Sequence, residues 1–289
     1  MASTQVLKTR IRSVKNTKQI TKAMQLVAAS KMRRAQEATK ATAAYTLAAR
    51  QLLNTIAAHR SVARHPLFVV RPVQSRLLIV IASDKGLAGA YNSNILKTYV
   101  SELKSDESAK VSTQTIAIGR KASQFAARIK GANVLGAYEE LPDRPDDSQL
   151  RAVLDSARDA FVSGSVDAVD IIYTEFISSL HQTPKVLRVL PAGADDSMEK
   201  PASGDATYEP STDEVLNAVA YRMVSAQLFQ ALLDARASEH SMRMIAMKNA
   251  TDNASDLVDD LTLAMNKARQ GAITQELAEI SGGVEALNE

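Results

Sequence analysis

Two stretches of this chain lack both proline and glycine, and they stand at its two ends. The first runs from about Ser3 to Ala58, the second from Val215 to Gln270. Without breakers, and with abundant alanine, each favours one uninterrupted helix. At 1.5 Å per residue the first would be on the order of 84 Å long, and the segment from Ser211 to Glu289 on the order of 118 Å. A compact domain cannot bury both ends of such rods, so they are expected to project. In the first, apolar residues fall at Leu7, Ile11 and Val14, shift to Ile20, Met24 and Val27, and end at Leu53 and Ile56. In the second, Leu257, Leu261, Ala264 and Ala268 share one face by spacing. Ile273, Leu277, Ile280, Val284 and Leu287 share another, with some break expected near Gly271. Helical apolar stripes are read as packing surfaces, and the simplest arrangement packs the two helices on each other, antiparallel.

The charge distribution agrees. No Asp or Glu occurs from Met1 to Gln36, whereas Lys8, Arg10, Arg12, Lys15, Lys18, Lys22, Lys31, Arg33 and Arg34 do. From Thr251 to Met265 the sign reverses, with Asp252, Asp256, Asp259 and Asp260 and no Lys or Arg. Opposite charge at the two ends suggests that they, or their partners, meet. The net charge of +3 is too small to identify a partner. The acid-free, Ser-containing start superficially resembles a transit peptide, but a cleaved leader would normally end in a loop and no Gly or Pro appears before Pro66.

Between the helices the period changes. After a breaker-rich linker from His65 to Pro72, Arg76–Ala82 is a nearly continuous apolar run, as expected of a buried parallel strand. Helix-like stretches are read at Asn94–Leu103, Lys121–Lys130 and Gln149–Val162. Further strands are read at Thr115–Gly119 and Ala168–Thr174. Lys185–Leu190 could return antiparallel through a turn around Gln182. Pro191–Pro210 reads as a loop, and Ser211–Glu214 as capping signals for the last helix. The expected fold is α/β with a long antiparallel coiled coil. Residues 1–62 and 208–289 form the helices, and a small Rossmann-like α/β domain occupies residues 73–195.

The chain carries few residues in patterns that chemistry requires. Asp84–Ala90 lies between a strand and a helix, where phosphate loops sit. It matches neither phosphate-loop spacing, so its glycines are read as serving the turn. His59, His65, His181 and His240 lack metal-ligand spacing, and there is no Cys. No G-x-S-x-G motif occurs, and the Asp cluster near Asp256 lacks the calcium-loop pattern. No catalytic residue, cofactor site or metal site is expected. No apolar run approaches the roughly 20 residues of a membrane span. Two other classes compete for parts of the chain. One is a basic coiled coil binding nucleic acid through Lys31–Arg34, which lacks interleaved aromatics. The other is a nucleotide-dependent enzyme built on the α/β domain.

Several motifs carry a resemblance across the whole chain. Ile11–Gln36, Ser83–Asn92, Tyr208–Ser211, Met247–Ala254 and Asn266–Leu277 resemble, in order, segments of the gamma subunits of F-type ATP synthases. One departure is that Gly283 is followed by Val284 where the family usually has Ala. The resemblance implies a non-catalytic shaft inside a head of three alpha and three beta subunits, with ATP chemistry on the beta subunits. Its foot would stand near the epsilon subunit on a membrane c-ring. It implies that Met24, Arg243, Arg269, Gln270, Thr274 and Glu276 contact the head, that Lys85 faces an acidic turn of beta, and that Tyr208 lies on the foot side. The implied location is peripheral, on the cytoplasmic face of a bacterial membrane or the matrix face of the mitochondrial inner membrane. No nucleic acid or small-molecule substrate is implied.

Overall fold

The computed structural model describes residues 4–57, 65–129, 131–143, 147–193 and 212–287. Helix α1 runs over Thr4–Ala57 and α5 over Thr212–Leu287, about 81 and 114 Å of helix. Two compact units are formed, Ala29–Arg243 and the pair Met1–Ala28 with Met244–Glu289, so both helices contribute to each unit.

The unit Ala29–Arg243 is organised by a five-stranded sheet of order β3-β2-β1-β4-β5. Its strands are β1 (Ser75–Ile81), β2 (Ser112–Ile118), β3 (Asn133–Tyr138), β4 (Ala168–Phe176) and β5 (Gln182–Leu190). The first four are mutually parallel and β5 is antiparallel to β4. Strand β1 is central and buried on both faces, which is why its sequence is a continuous apolar run rather than an alternating one. Its side chains alternate between two cores. Leu77, Ile79 and Ile81 face α4 (Asp147–Val162) and the α5 residues Ala220, Val224, Leu228, Leu232 and Ala235. Leu78, Val80 and Ala82 face α2 (Tyr91–Ser108) and α3 (Arg120–Ala126) through Ile95, Tyr99, Ala122 and Ala126.

Several expectations shift. Helix α2 extends beyond Asn94–Leu103 at both ends, and α3 stops at Ala126. The turn between β4 and β5 lies at Ile177–His181, not around Gln182, which is already paired with Phe176. Ser178 makes this turn: its Oγ accepts the N–H groups of Leu180 and His181, at 3.3 and 3.1 Å. Strand β3 is not among the expected strands. It is an edge strand whose Val134 and Leu135 are exposed, so no buried alternation marks it.

In the other unit the helices run antiparallel. Thr21 pairs with Thr251 at 2.8 Å and Lys18 with Ser255 at 2.9 Å, so stepping back along α1 means stepping forward along α5. The α1 face turned inward comprises Leu7, Ile11, Val14, Lys18, Thr21, Gln25 and Ala28, a heptad spacing kept throughout. The opposing α5 residues are Thr251, Ala254, Val258, Leu261, Met265 and Ala268. The shift of face read from the sequence is therefore corrected: Ile20 and Val27 are exposed, as are Leu257 and Ala264. Packing follows the heptad, and at 18, 21, 25 and 28 the heptad is filled by polar or small residues.

No break occurs at Gly271. Glycine lowers helix propensity by about 1 kcal/mol but removes no backbone hydrogen bond, and a side chain there would meet nothing within 4 Å. Among the described residues no helix is long and apolar enough to cross a membrane.

Candidate functional site

The residues singled out from the sequence fall into two groups, one in each unit. The first surrounds the chain leaving β1. Ser83 is buried and fixes this turn: its N–H donates to Asn92 Oδ1 at 3.1 Å and its Oγ to the Lys85 carbonyl at 2.6 Å. Asp84 Oδ1 accepts the N–H groups of Arg120 and Glu140, both at 3.0 Å, tying the exits of β2 and β3 to that of β1. Burial alone would push the Asp84 carboxyl up, but those two donors and the Arg236 charge hold it below its ordinary value. The turn then projects outward, with Lys85, Gly86 and Leu87 exposed. Its glycines serve it unequally. Gly89 takes a positive φ of 55°, whereas Gly86 does not, and Leu87 enters the left-handed region at 60° instead. Gly119, at the end of β2, is needed for close approach, since a Cβ there would lie 2.1 Å from the Ala82 carbonyl oxygen.

Against this turn α5 presents one stripe at helical spacing, Arg236, Glu239, His240 and Arg243. Glu239 is gripped from both sides, by Arg236 Nη1 at 3.0 Å on one oxygen and Arg243 Nη1 at 2.8 Å on the other. Arg236 Nη2 also donates to the Leu141 carbonyl at 2.8 Å and meets Asp84 at 3.4 Å. Burial works against the Arg236 charge, but Glu239 and Asp84 overcome it and keep the guanidinium protonated. Tyr91, wholly buried beside them, has its hydroxyl pushed far up by burial and by the Glu239 charge. His240 Nδ1 accepts from Arg243 at 3.3 Å, which assigns the proton to Nε2, 3.3 Å from Asp143. Asp143 also pairs with Lys31 at 2.8 Å, and His240 and Lys31 hold its carboxyl well below the usual range.

Lys85 and Arg243 are thus brought together, and not as two free cations. Arg243 Nη2 donates to the Lys85 and Gly86 carbonyls at 3.1 and 3.3 Å, so Arg243 braces the turn from within while the Lys85 side chain points to solvent. The second group lies on α5 beyond the paired stretch. By the register of Thr21 with Thr251, α1 residue Thr4 lies near the level of Ala268. Every residue from Arg269 to Ser281 is exposed. Arg269, Gln270, Thr274 and Glu276 lie here, and the Thr274 hydroxyl donates to the Gln270 carbonyl at 2.9 Å. The apolar residues of this stretch are no better covered: Ile273, Leu277 and Ile280 are 45%, 62% and 64% exposed. Met24 sits half-buried on α1. Tyr208 lies outside the described residues, as do the side chains of Val284 and Leu287. Sequence reading missed Arg236 and Glu239. Their signal was an arginine and a glutamate inside a breaker-free, otherwise Ala- and Leu-rich stretch, at the spacing that puts both on one face.

Among the described residues no group of three or more His, Asp or Glu side chains could hold a metal ion. The sequence profile of the family described as ATP synthase matches residues 3–287. The ATP synthase gamma chain of Ralstonia nicotianae is 42% identical, covering 99% of this chain and all of its own. This chain belongs to the ATP synthase gamma-chain family. The gamma chain of Staphylococcus saprophyticus, at 37% identity, likewise aligns over its full length and 99% of this one. The gamma-chain fold is also shared with solved structures. A chain of the Euglena gracilis mitochondrial ATP synthase in its OSCP/F1/c-ring assembly superposes with a TM-score of 0.70 at 18% identity, covering 98% of this chain and 94% of that one. A chain of the Tetrahymena thermophila central stalk and c-ring gives 0.59 at 22%, covering 80% and 99%.

Proposed function

We propose that this gamma chain is the rotating central stalk of an F-type ATP synthase, carrying no catalytic site of its own. Proton or other ion flow through a membrane c-ring turns it, and its turning drives ATP synthesis on the beta subunits of an alpha3beta3 head. Hydrolysis runs the same motion in reverse. Residues 1–62 and 208–289 act as the shaft, and residues 73–195 as the part nearest the epsilon subunit and the c-ring, with Tyr208 on that side. The complex sits peripherally on the cytoplasmic face of a bacterial membrane, in keeping with the bacterial sources of the Ralstonia and Staphylococcus gamma chains.

The observation that carries this reading is the exposed stretch Arg269–Ser281. Isolated apolar side chains are common on surfaces, but Ile273, Leu277 and Ile280 recur at steps of four and three on one exposed stripe of α5. Such a stripe requires a partner surface. A sleeve formed by the head supplies it. An asymmetric rod cannot touch three equivalent subunits equally, so each orientation biases the three sites differently, and only differential contact can do so. Met24, Lys85, Arg243, Arg269, Gln270, Thr274 and Glu276 are the residues proposed to make that contact, Arg243 through the turn it braces. The test is recovery of a tagged chain from its native membrane after mild solubilisation. Alpha and beta subunits in fixed ratio with it support the reading, and recovery without them refutes it.

A further inference from the structure

Doubly wound parallel sheets bind their ligands outside the carboxyl ends of the strands, where the strand order reverses. Here the order reverses between β1 and β4, so that crevice opens beyond Ile81 and Thr174. It is filled by the chain's own α5. From Ala231 to Ser241 every residue of α5 is buried, although Asp234, Arg236, Glu239 and His240 are among them. Three polar residues of this stretch, Arg236, Ser238 and Ser241, bind the strand ends and the turns that leave them. Arg236 meets Asp84 after β1 and the Leu141 carbonyl after β3, while the other oxygen of Asp84 holds Arg120 after β2. Ser238 Oγ donates to the Thr174 carbonyl of β4 at 3.3 Å. Ser241 Oγ donates to the Ser179 carbonyl in the β4–β5 turn at 2.6 Å, and Gln182 at the start of β5 reaches Ser241 at 3.3 Å.

We infer that this occupied crevice is the mechanical joint between the α/β sheet and α5, and that Arg236 is its positioning residue. The inference rests on the rotor reading above. The apolar contacts of Leu228, Leu232 and Ala235 resist separation of helix from sheet, but they are non-directional and would tolerate sliding. Packed elements can shift past one another by whole helical turns, and a polar contact across the interface fixes one level. The planar guanidinium of Arg236 fixes it: Glu239 of the same helix holds Nη1 and sets the fork, while Nη2 engages the Leu141 carbonyl at 2.8 Å and Asp84 at 3.4 Å on the sheet side. Occupation by α5 also accounts for a doubly wound sheet that lacks a phosphate loop.

The experiment compares wild type with Arg236→Met, which keeps volume and loses the fork, in the complete complex reconstituted into vesicles. ATP hydrolysis and ATP-driven proton uptake are measured on the same preparation. A slipping joint lowers protons moved per ATP several-fold while hydrolysis stays within about two-fold of wild type, and Arg236→Lys falls between the two. A purely structural role lowers both rates together by reducing the assembled fraction and leaves the ratio unchanged, which overturns the inference. Should Arg236→Met not assemble, Arg236→Gln, which keeps a planar polar group but loses the charge and the fork, is measured in the same way, and an unchanged ratio there overturns the inference equally. Absence of the chain from the wild-type complex would instead defeat the rotor reading itself, whatever the variants do.

Discussion

The hydroxyls of Thr21 and Thr251 lie 2.8 Å apart between the two antiparallel helices, and both side chains are buried. They occupy positions where an apolar pair would add more stability. Thr21 also donates to the Lys18 carbonyl, and the Thr251 hydroxyl lies 2.7 Å from the Met247 carbonyl, so neither is left unsatisfied. A polar pair inside a coiled-coil seam specifies register at some cost in stability, because slippage by one heptad separates the partners.

Thr251→Val is expected to cost about 1 kcal/mol, the net worth of one intramolecular hydrogen bond. The double variant Thr21→Val with Thr251→Val should cost less than the two singles added, since apolar surface then meets apolar surface. Chemical denaturation of the four proteins of this cycle measures the coupling. Strict additivity would mean that the two hydroxyls do not interact.

Asp170 anchors the sheet on its α2 face. Almost fully buried, it receives Arg76 from β1 and Arg188 from β5, while Arg76 also reaches Glu102 at 2.8 Å and Asp106 at 3.1 Å. Removing one member of a buried network strands the others, so Asp170→Ala should destabilise the protein by about 3–5 kcal/mol. The midpoint of urea unfolding reads this directly. A loss under about 1 kcal/mol, the worth of a single ordinary hydrogen bond, would mean that Arg76 and Arg188 are fully satisfied without it.

Asp234 gives the chain a pH dependence near neutrality. Buried on α5 and held by Gln230 at 3.1 Å, with Glu175 of β4 adding repulsion and Lys185 of β5 opposing it, its carboxyl is pushed up to about 7 by burial. The folded state therefore keeps a proton that the unfolded state gives up near 3.8. Its contribution to stability is complete below about pH 4 and is lost as pH rises through 7. Asp234→Asn should flatten this slope, narrowing the difference in Tm between about pH 5 and pH 8. An unchanged slope would place the responsible proton elsewhere.

The shaft and the central strands were legible because their signals are local. Leu77–Ile81 is apolar throughout since β1 is covered on both faces, and α1 lacks breakers over its whole length. What was not legible depended on a neighbour. The inward face of α1 continues through Lys18, Thr21 and Ala28, whose burial is set by α5 opposite, while the more apolar Ile20 and Val27 point to solvent. Strand β3 exists because β2 offers an edge, and its own residues show no alternation. At the site, the proximity of Lys85 and Arg243 was out of reach, as was the joint at Arg236. Both are made by residues more than 150 positions apart in the chain, Asp84 to Arg236 and Gly86 to Arg243.

Arg269 and Gln270 are proposed to catch a moving loop of the beta subunit, linking shaft angle to site opening. Both side chains are exposed, and the contact made here is through the backbone, the Gln270 carbonyl accepting the Thr274 hydroxyl. Their replacement by Ala should leave stability within about 0.5 kcal/mol, as for ordinary surface positions. ATP turnover of the assembled enzyme should nevertheless fall clearly. Wild-type turnover and pumping together would reduce the pair to a solvated face.

The most direct measurement of the central claim uses the absence of cysteine from the chain. A single cysteine placed at the exposed Lys110, just past the end of α2, accepts a bead or fluorescent rod in the assembled, surface-fixed head. On addition of ATP the account predicts continuous rotation of that probe in one direction, stopping when ATP is exhausted. ATP hydrolysis at the normal rate with a stationary or randomly fluctuating probe would contradict it.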